Sequence, residues 1–320
     1  MTRRLTLAFT LATALLAAAP PAHGQRYVAR ADSLLRQGRV ADAEQLYYYA
    51  VRKTPRDPAA RLALGRYLAA RGALRPGAVL MEEARYFGGD PKLVGVYLAP
   101  VYARLGDYKA LMTLPASPLP YAQRARAEWL TANVPAVDGP DSAAVPLVPA
   151  DSAPFGAIAI VLGHDTLTAT IDPRVQGLTL DTAWLKRKDV KRFAATYDAD
   201  WRNAAGVALS TAIGPFVLTN VPASFAVTGS ARKARVGLDF LGGLAPTIDP
   251  GAKTLLLRRG GRIVTSPAGE RIPTLMYPGG LWIVQRDGVW PLGGAAARAT
   301  LGGHPWILDA KRGDLILLDR

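Results

Sequence analysis

One carboxylate stands where a hydrophobic strand should end. Asp172 follows the alternating run Thr168–Ile171, and Pro173-Arg174 separates it from a second run that starts at Gly177 and reaches Leu180. A carboxylate at such a position can work as a general acid or base when its proton affinity suits the task. Two carboxylates about 3 Å apart can also share one proton, since like charges that close cannot both ionise. The neighbours of Asp172 argue against it. Pro173 has no N–H to donate. Arg174 would hold the carboxylate ionised and oppose proton sharing. Asp172 is therefore either a working acid with odd neighbours, a remnant of one, or an ordinary strand-end turn residue.

Other chemistries are thin. Past residue 24 only His164 and His304 remain, far apart in sequence, and the chain has no Cys. A zinc site is not expected from that inventory. No G-x-S-x-G elbow and no P-loop occurs. "GLDFLGG" and "GGAAARATLGG" are glycine-rich without dinucleotide spacing. No cofactor or metal is expected.

The elements that must position Asp172 come from a chain of 320 residues, half of them hydrophobic, enough for about two domains. Thr2-Arg3-Arg4, the apolar run Leu5–Ala18 and Ala22-His23-Gly24 read as a secretory signal peptide, residues 1–24, cleaved before Gln25. The alternative is an uncleaved anchor, for which the apolar run is short. Export without any Cys fits a bacterial envelope protein, periplasmic or secreted. The net charge of +14 invites nucleic acid. The excess is mostly Arg spread along the chain, and export removes that partner. Its densest run holds Lys186, Arg187, Lys188, Lys191 and Arg192. It reads as a solvated helix face, or as a patch touching a membrane surface or anionic polysaccharide.

Residues 25–134 carry a helical repeat. Gly38, Gly72 and Gly106 recur with a period of 34 residues, as do Ala31, Gly65 and Ala99. Such a period, with a Gly between two amphipathic stretches, predicts stacked helix pairs. The segment resembles the tetratricopeptide repeat family. Ala31, Gly38, Ala43, Tyr47, Ala50 and Pro55 stand at that family's spacings, while Gly77 and Gly89 depart from it. "YAQRARAEWLTAN" would cap the stack. The resemblance implies a concave surface for a peptide or envelope protein. Tyr47, Tyr48 and Tyr49 are its candidate contacts, since three consecutive rings cannot all face the core.

Residues 135–154, rich in Pro, Ala, Ser and Asp, read as a semi-extended linker. From Phe155 the pattern changes to short alternating runs, a barrel or sandwich. "DTAWLKRKDVKRF" suggests a short helix capped by Asp181 or Thr182, and "GLDFLGGL" another. Residues 155–260 resemble the retropepsin-like aspartic proteases in their bacterial single-lobe form. Three stretches carry the likeness: "GHDTLTATIDPRVQGLTL", "IGPFVLTNVPASFAV" and "RVGLDFLGGLAPTIDPGAKTLLLRR". It implies an α+β chain: a helical stack, then an all-β acid-protease barrel, then a β extension over residues 261–320.

In that family the motif is Asp-Thr/Ser-Gly and two copies meet to pair their acids. The resemblance places Asp172 at the acid, with Pro173 and Arg174 in the next two places. It gives Gly237 and Asp239 structural roles, Asp239 bracing a short helix. Asp249 and Asp309 lie in two similar hairpins, which hint at a second half-lobe or are simply alike. Trp282 and Trp290 are core packing or a sticky edge. The expectation is a peptide-binding protein with an impaired protease-like domain. A homodimeric aspartic endopeptidase using Asp172 from each chain is the rival, and a scaffold the third option.

Overall fold

The computed structural model describes residues 23–115, 119–148, 155–193, 204–261, 268–277 and 280–319. The signal-peptide reading for residues 1–24 falls almost wholly outside them. A helical half precedes a β-rich half. No helix among the described residues is long and apolar enough to cross a membrane.

Among the described residues seven helices come first: α1 (His23–Arg36), α2 (Val40–Lys53), α3 (Pro58–Ala70), α4 (Leu74–Tyr86), α5 (Pro91–Leu105), α6 (Tyr108–Met112) and α7 (Tyr121–Ala132). Asp-Pro pairs start two of them. Asp57 accepts the Ala59 N–H at 2.9 Å and Asp90 that of Lys92 at 2.9 Å, each with Pro in the first turn, where its missing N–H costs nothing. Gly38, Gly72 and Gly106 reverse the chain with φ of 77°, 84° and 68°, a conformation that favours glycine. Gly77 is explained by packing. A Cβ there would run into the Gly65 carbonyl and Ala69, so α3 and α4 touch backbone to backbone.

The β half begins earlier than the composition suggests. The stretch read as a linker contains β1 (Ala136–Asp138) and β2 (Ser142–Pro146). β1 pairs with β8 (Phe216–Ala226), and β2 pairs with β11 (Thr254–Arg258). Pro and Ala are tolerated because both strands lie at sheet edges.

A closed six-stranded barrel follows. β3 (Ala157–Leu162), β4 (Asp165–Ile171), β5 (Leu178–Asp181), β7 (Ala205–Ile213), β8 and β9 (Lys233–Val236) pair in the order β8-β5-β9-β4-β3-β7, and β7 returns to β8. Alternation along β3 and β4 sends Ile158, Ile160, Leu162, Leu167, Ala169 and Ile171 inward, all fully buried. β6 (Val190–Phe193) joins β7 at the rim. The predicted helix over 181–193 is instead a 3-10 turn, Thr182–Lys186, followed by β6. Asp181 does cap it, accepting the Ala183 N–H at 3.0 Å.

The second sheet runs β14-β13-β12-β16-β15-β10-β11-β2. Its remaining strands are β10 (Thr247–Asp249), β12 (Glu270–Tyr277), β13 (Gly280–Gln285), β14 (Gly288–Pro291), β15 (Trp306–Asp309) and β16 (Asp314–Leu317). Helices α8 (Leu238–Gly242) and α9 (Ala295–Leu301) precede its two central hairpins. One apolar core runs unbroken from Ile158 in the barrel to Leu315 in β16.

The helices lie against both parts. Arg71 donates to the carbonyls of Thr274 (3.1 Å) and Gly313 and pairs with Asp314 at 3.1 Å. The turn glycines Gly38 and Gly72 press on the carbonyls of Gln285 and Ala310. α7 does not end in a polar face. Arg126 donates to the Ala223 carbonyl at 2.9 Å, and Trp129 packs on Phe193 with ring centroids 6.2 Å apart.

Candidate functional site

Asp172 leaves the end of β4 with its N–H bound to the Val236 carbonyl at 3.0 Å. The residue is 6 % exposed. Arg174 closes on it with a two-pronged grip: Nε donates to Oδ1 at 2.9 Å, and a terminal guanidinium nitrogen to Oδ2 at 3.0 Å. The Arg174 backbone N–H also reaches Oδ1 at 3.0 Å. Burial pushes the Asp172 pKa up. The hydrogen bonds from the Arg174 side chain and backbone, with the charges of Arg174 and Arg235, outweigh it, and the carboxyl lies below its ordinary value. An acid held ionised this way is a poor proton carrier. It is a good anchor for its own loop.

Pro173 is buried. Its carbonyl accepts the Leu281 N–H at 3.0 Å, and its Cγ faces Gly293. Gly280, with φ of 133°, fits there because a Cβ would strike the Pro173 carbonyl. Sequence reasoning did not find this contact between the Asp172 loop and β13. The signal was present in the glycine cluster around Trp282, but nothing local says which backbone a glycine must admit.

Gly237 and Asp239 sit beside the same loop. The Gly237 N–H bonds the Gly177 carbonyl at 2.8 Å, and a Cβ on Gly237 would meet the Val175 carbonyl. Asp239 accepts the Gly177 N–H at 2.9 and 3.1 Å, so it ties α8 to the end of the Asp172 loop. Desolvation pushes the Asp239 pKa up, against the hydrogen bonds of Gly177 and Phe240 and the nearby Arg104 charge on α5. A carboxyl with a raised folded pKa contributes most below its unfolded value, near 3.9, and loses that contribution as pH rises through the folded value. Asp239→Asn is therefore expected to flatten the fall in stability over this window, read by urea unfolding between pH 3 and 7. The neutral amide carries no buried charge, so any deficit of the variant against wild type is expected to shrink as pH rises from 3 to 7.

The tyrosines separate. Tyr47 is core, with its hydroxyl donating to Asp32 and its ring 5.2 Å from that of Tyr67. Tyr49 stacks edge-on against Tyr27 at 4.8 Å, and Tyr48 is 41 % exposed. The last two line an open groove of about 730 Å³ between α1 and α2, with Leu34, Leu46, Arg30 and Arg52. Of the basic run, Lys186, Arg187, Lys188 and Lys191 are exposed and Arg192 is half-buried. Arg187 pairs with Asp165 and covers the Trp184 ring, and Lys191 covers the rings of Trp129 and Phe193. Asp249 and Asp309 cap hairpin turns, accepting the Ala252 and Arg312 N–H at 2.9 and 3.1 Å. Trp282 is half-buried against the helices, and Trp290 is 37 % exposed.

No family model and no curated protein matches the chain. Among solved structures, a retropepsin-like aspartic protease from Rickettsia conorii is similar at 13% identity, over 39% of this chain and 95% of that one, with a TM-score of 0.27.

Proposed function

We propose that this is an exported protein that binds a peptide or an extended protein segment, and whose aspartyl-protease-like domain does not cut what it holds. The observation that carries the reading is the grip of Arg174 on both oxygens of Asp172. A carboxylate fully engaged by its own neighbour neither shares a proton nor activates water. The tetratricopeptide-like helices supply a recruiting surface, the Tyr48–Tyr49 groove. Exposed sheet edges offer a place for an added strand.

The test is cleavage of a denatured, mixed protein substrate between pH 3.5 and 7. Purified protein and Asp172→Ala are expected to be equally inactive. Activity that the substitution abolishes would instead make this a homodimeric aspartic endopeptidase with an unusual motif. In parallel, Tyr48→Ala with Tyr49→Ala is expected to weaken capture of peptides from a random library at least tenfold. Unchanged capture would remove the groove from the reading.

A further inference from the structure

The two hairpins that precede and close the second sheet are related by a local two-fold axis. β10 pairs with β11 as Thr247↔Leu256 and Asp249↔Thr254. β15 pairs with β16 as Ile307↔Ile316 and Asp309↔Asp314. Each residue of the first hairpin thus has a counterpart 60 positions later. The details follow the same offset. Asp249 caps the Ala252 N–H and Asp309 that of Arg312. Lys253 and Gly313 both take the left-handed backbone, with φ of 52° and 66°. The axis passes between Thr247 and its counterpart Ile307, which are paired directly where β10 meets β15.

The symmetry extends one strand further on each side. Pro146 of β2 lies opposite Thr254, and Pro273 of β12 lies opposite Asp314, the counterpart of Thr254. The next residue in each case, Leu147 or Thr274, donates its N–H to the turn carbonyl of Lys253 or Gly313, at 2.8 and 2.7 Å. A short helix, α8 or α9, enters each hairpin across a four-residue connection. The six consecutive strands β12-β16-β15-β10-β11-β2 therefore form a two-fold arrangement built from one chain.

We infer that α9, β15 and β16 are a second copy of α8, β10 and β11, the helix and hairpin that follow the barrel, and that residues 270–317 are docked within the same chain over the face that carries the Asp172 loop. The first half has a barrel on its side of the axis. Among the described residues the second has β12, β13, β14 and α9 in that place. These press on the Asp172 loop through Leu281, Gly280 and Gly293. The Pro173 side of that loop is thus covered from within the chain, while the Arg174 side chain stays exposed, and the protein is a single-chain, asymmetric two-lobe body. Its consequence for catalysis rests on the reading of Asp172 above; the arrangement itself does not.

The experiment uses the absence of native Cys. Thr247 and Ile307 flank the hydrogen-bonded Pro246–Leu308 position, so they form a non-hydrogen-bonded pair with Cα atoms about 4.5 Å apart, within disulfide reach. Thr247→Cys with Ile307→Cys is expected to oxidise within one chain and run at the monomer mass on a non-reducing gel. A cross-linked dimer would show that the lobes exchange between chains, and would overturn the inference while leaving the cleavage result untouched. Should the double variant not fold, sedimentation of the unmodified protein decides. The mass of one chain, 34.0 kDa for the full 320 residues, is expected, and a two-chain mass overturns the proposal.

Discussion

Leu308→Ala is expected to cost about 3 kcal/mol of unfolding free energy and to lower the melting of the whole β body in one transition. Leu308 is fully buried in β15, next to the axis that joins the two lobes. Its N–H also bonds the Pro246 carbonyl at 3.0 Å across that axis. Deleting buried methyl and methylene groups costs their transfer free energy plus the cavity left behind, about 2–5 kcal/mol for Leu to Ala. The core around it is continuous, holding Ile248, Leu255 and Trp306 with Ile160 and Ile171 of the barrel. Loosening there should therefore reach the barrel as well as the second lobe. Calorimetry with urea unfolding checks both points. Two separate transitions, with only the upper or lower one moved, would show that the lobes melt independently.

Arg174→Ala is expected to raise the pKa of Asp172, read from its carboxyl carbon by NMR titration. The wild-type carboxyl lies below its ordinary value because the Arg174 hydrogen bonds outweigh burial. Removing the guanidinium leaves burial opposed by one backbone N–H and the Arg235 charge. The sign for stability follows. A depressed folded pKa contributes stability above the unfolded value, near 3.9, and that contribution disappears as pH falls through the folded value. The variant should therefore lose less stability than wild type on acidification, measured by urea unfolding from pH 6 to 2. At neutral pH its cost should be under about 1 kcal/mol, since the Arg174 side chain is 73 % exposed and its ion pair is screened. An unmoved Asp172 titration would show that Arg174 leaves its partner in solution. The variant is not expected to gain cleavage activity, because removing Arg174 brings no second acid to Asp172.

Much of this protein was legible in its residue order. The 34-residue period around Gly38, Gly72 and Gly106 marks the helix reversals, because a left-handed turn needs glycine wherever it occurs. Alternation from Ala157 to Ile171 marks the barrel strands, because inward and outward positions follow the pleat. Arg174 two residues after Asp172 raised the prospect of an acid held ionised, but the spacing alone does not say whether the guanidinium turns toward the carboxylate, as it does here. Tyr47, Tyr48 and Tyr49 promised one outward ring without saying which.

Only the tertiary structure decided the rest. Residues 136–146 look like linker because edge strands need little hydrophobicity, and their partners, Val217–Thr219 and Thr254–Arg258, lie far along the chain. "TIDPGAKTLLL" and "ILDAKRGDLILL" look alike in any reading. Likeness becomes symmetry only when Thr247 is found paired with Ile307, a contact 60 residues apart whose register no local pattern specifies. The docking of Gly280 on Pro173 is of the same kind. Local residue choice sets which conformations a segment can adopt, and long-range packing sets which surfaces then meet.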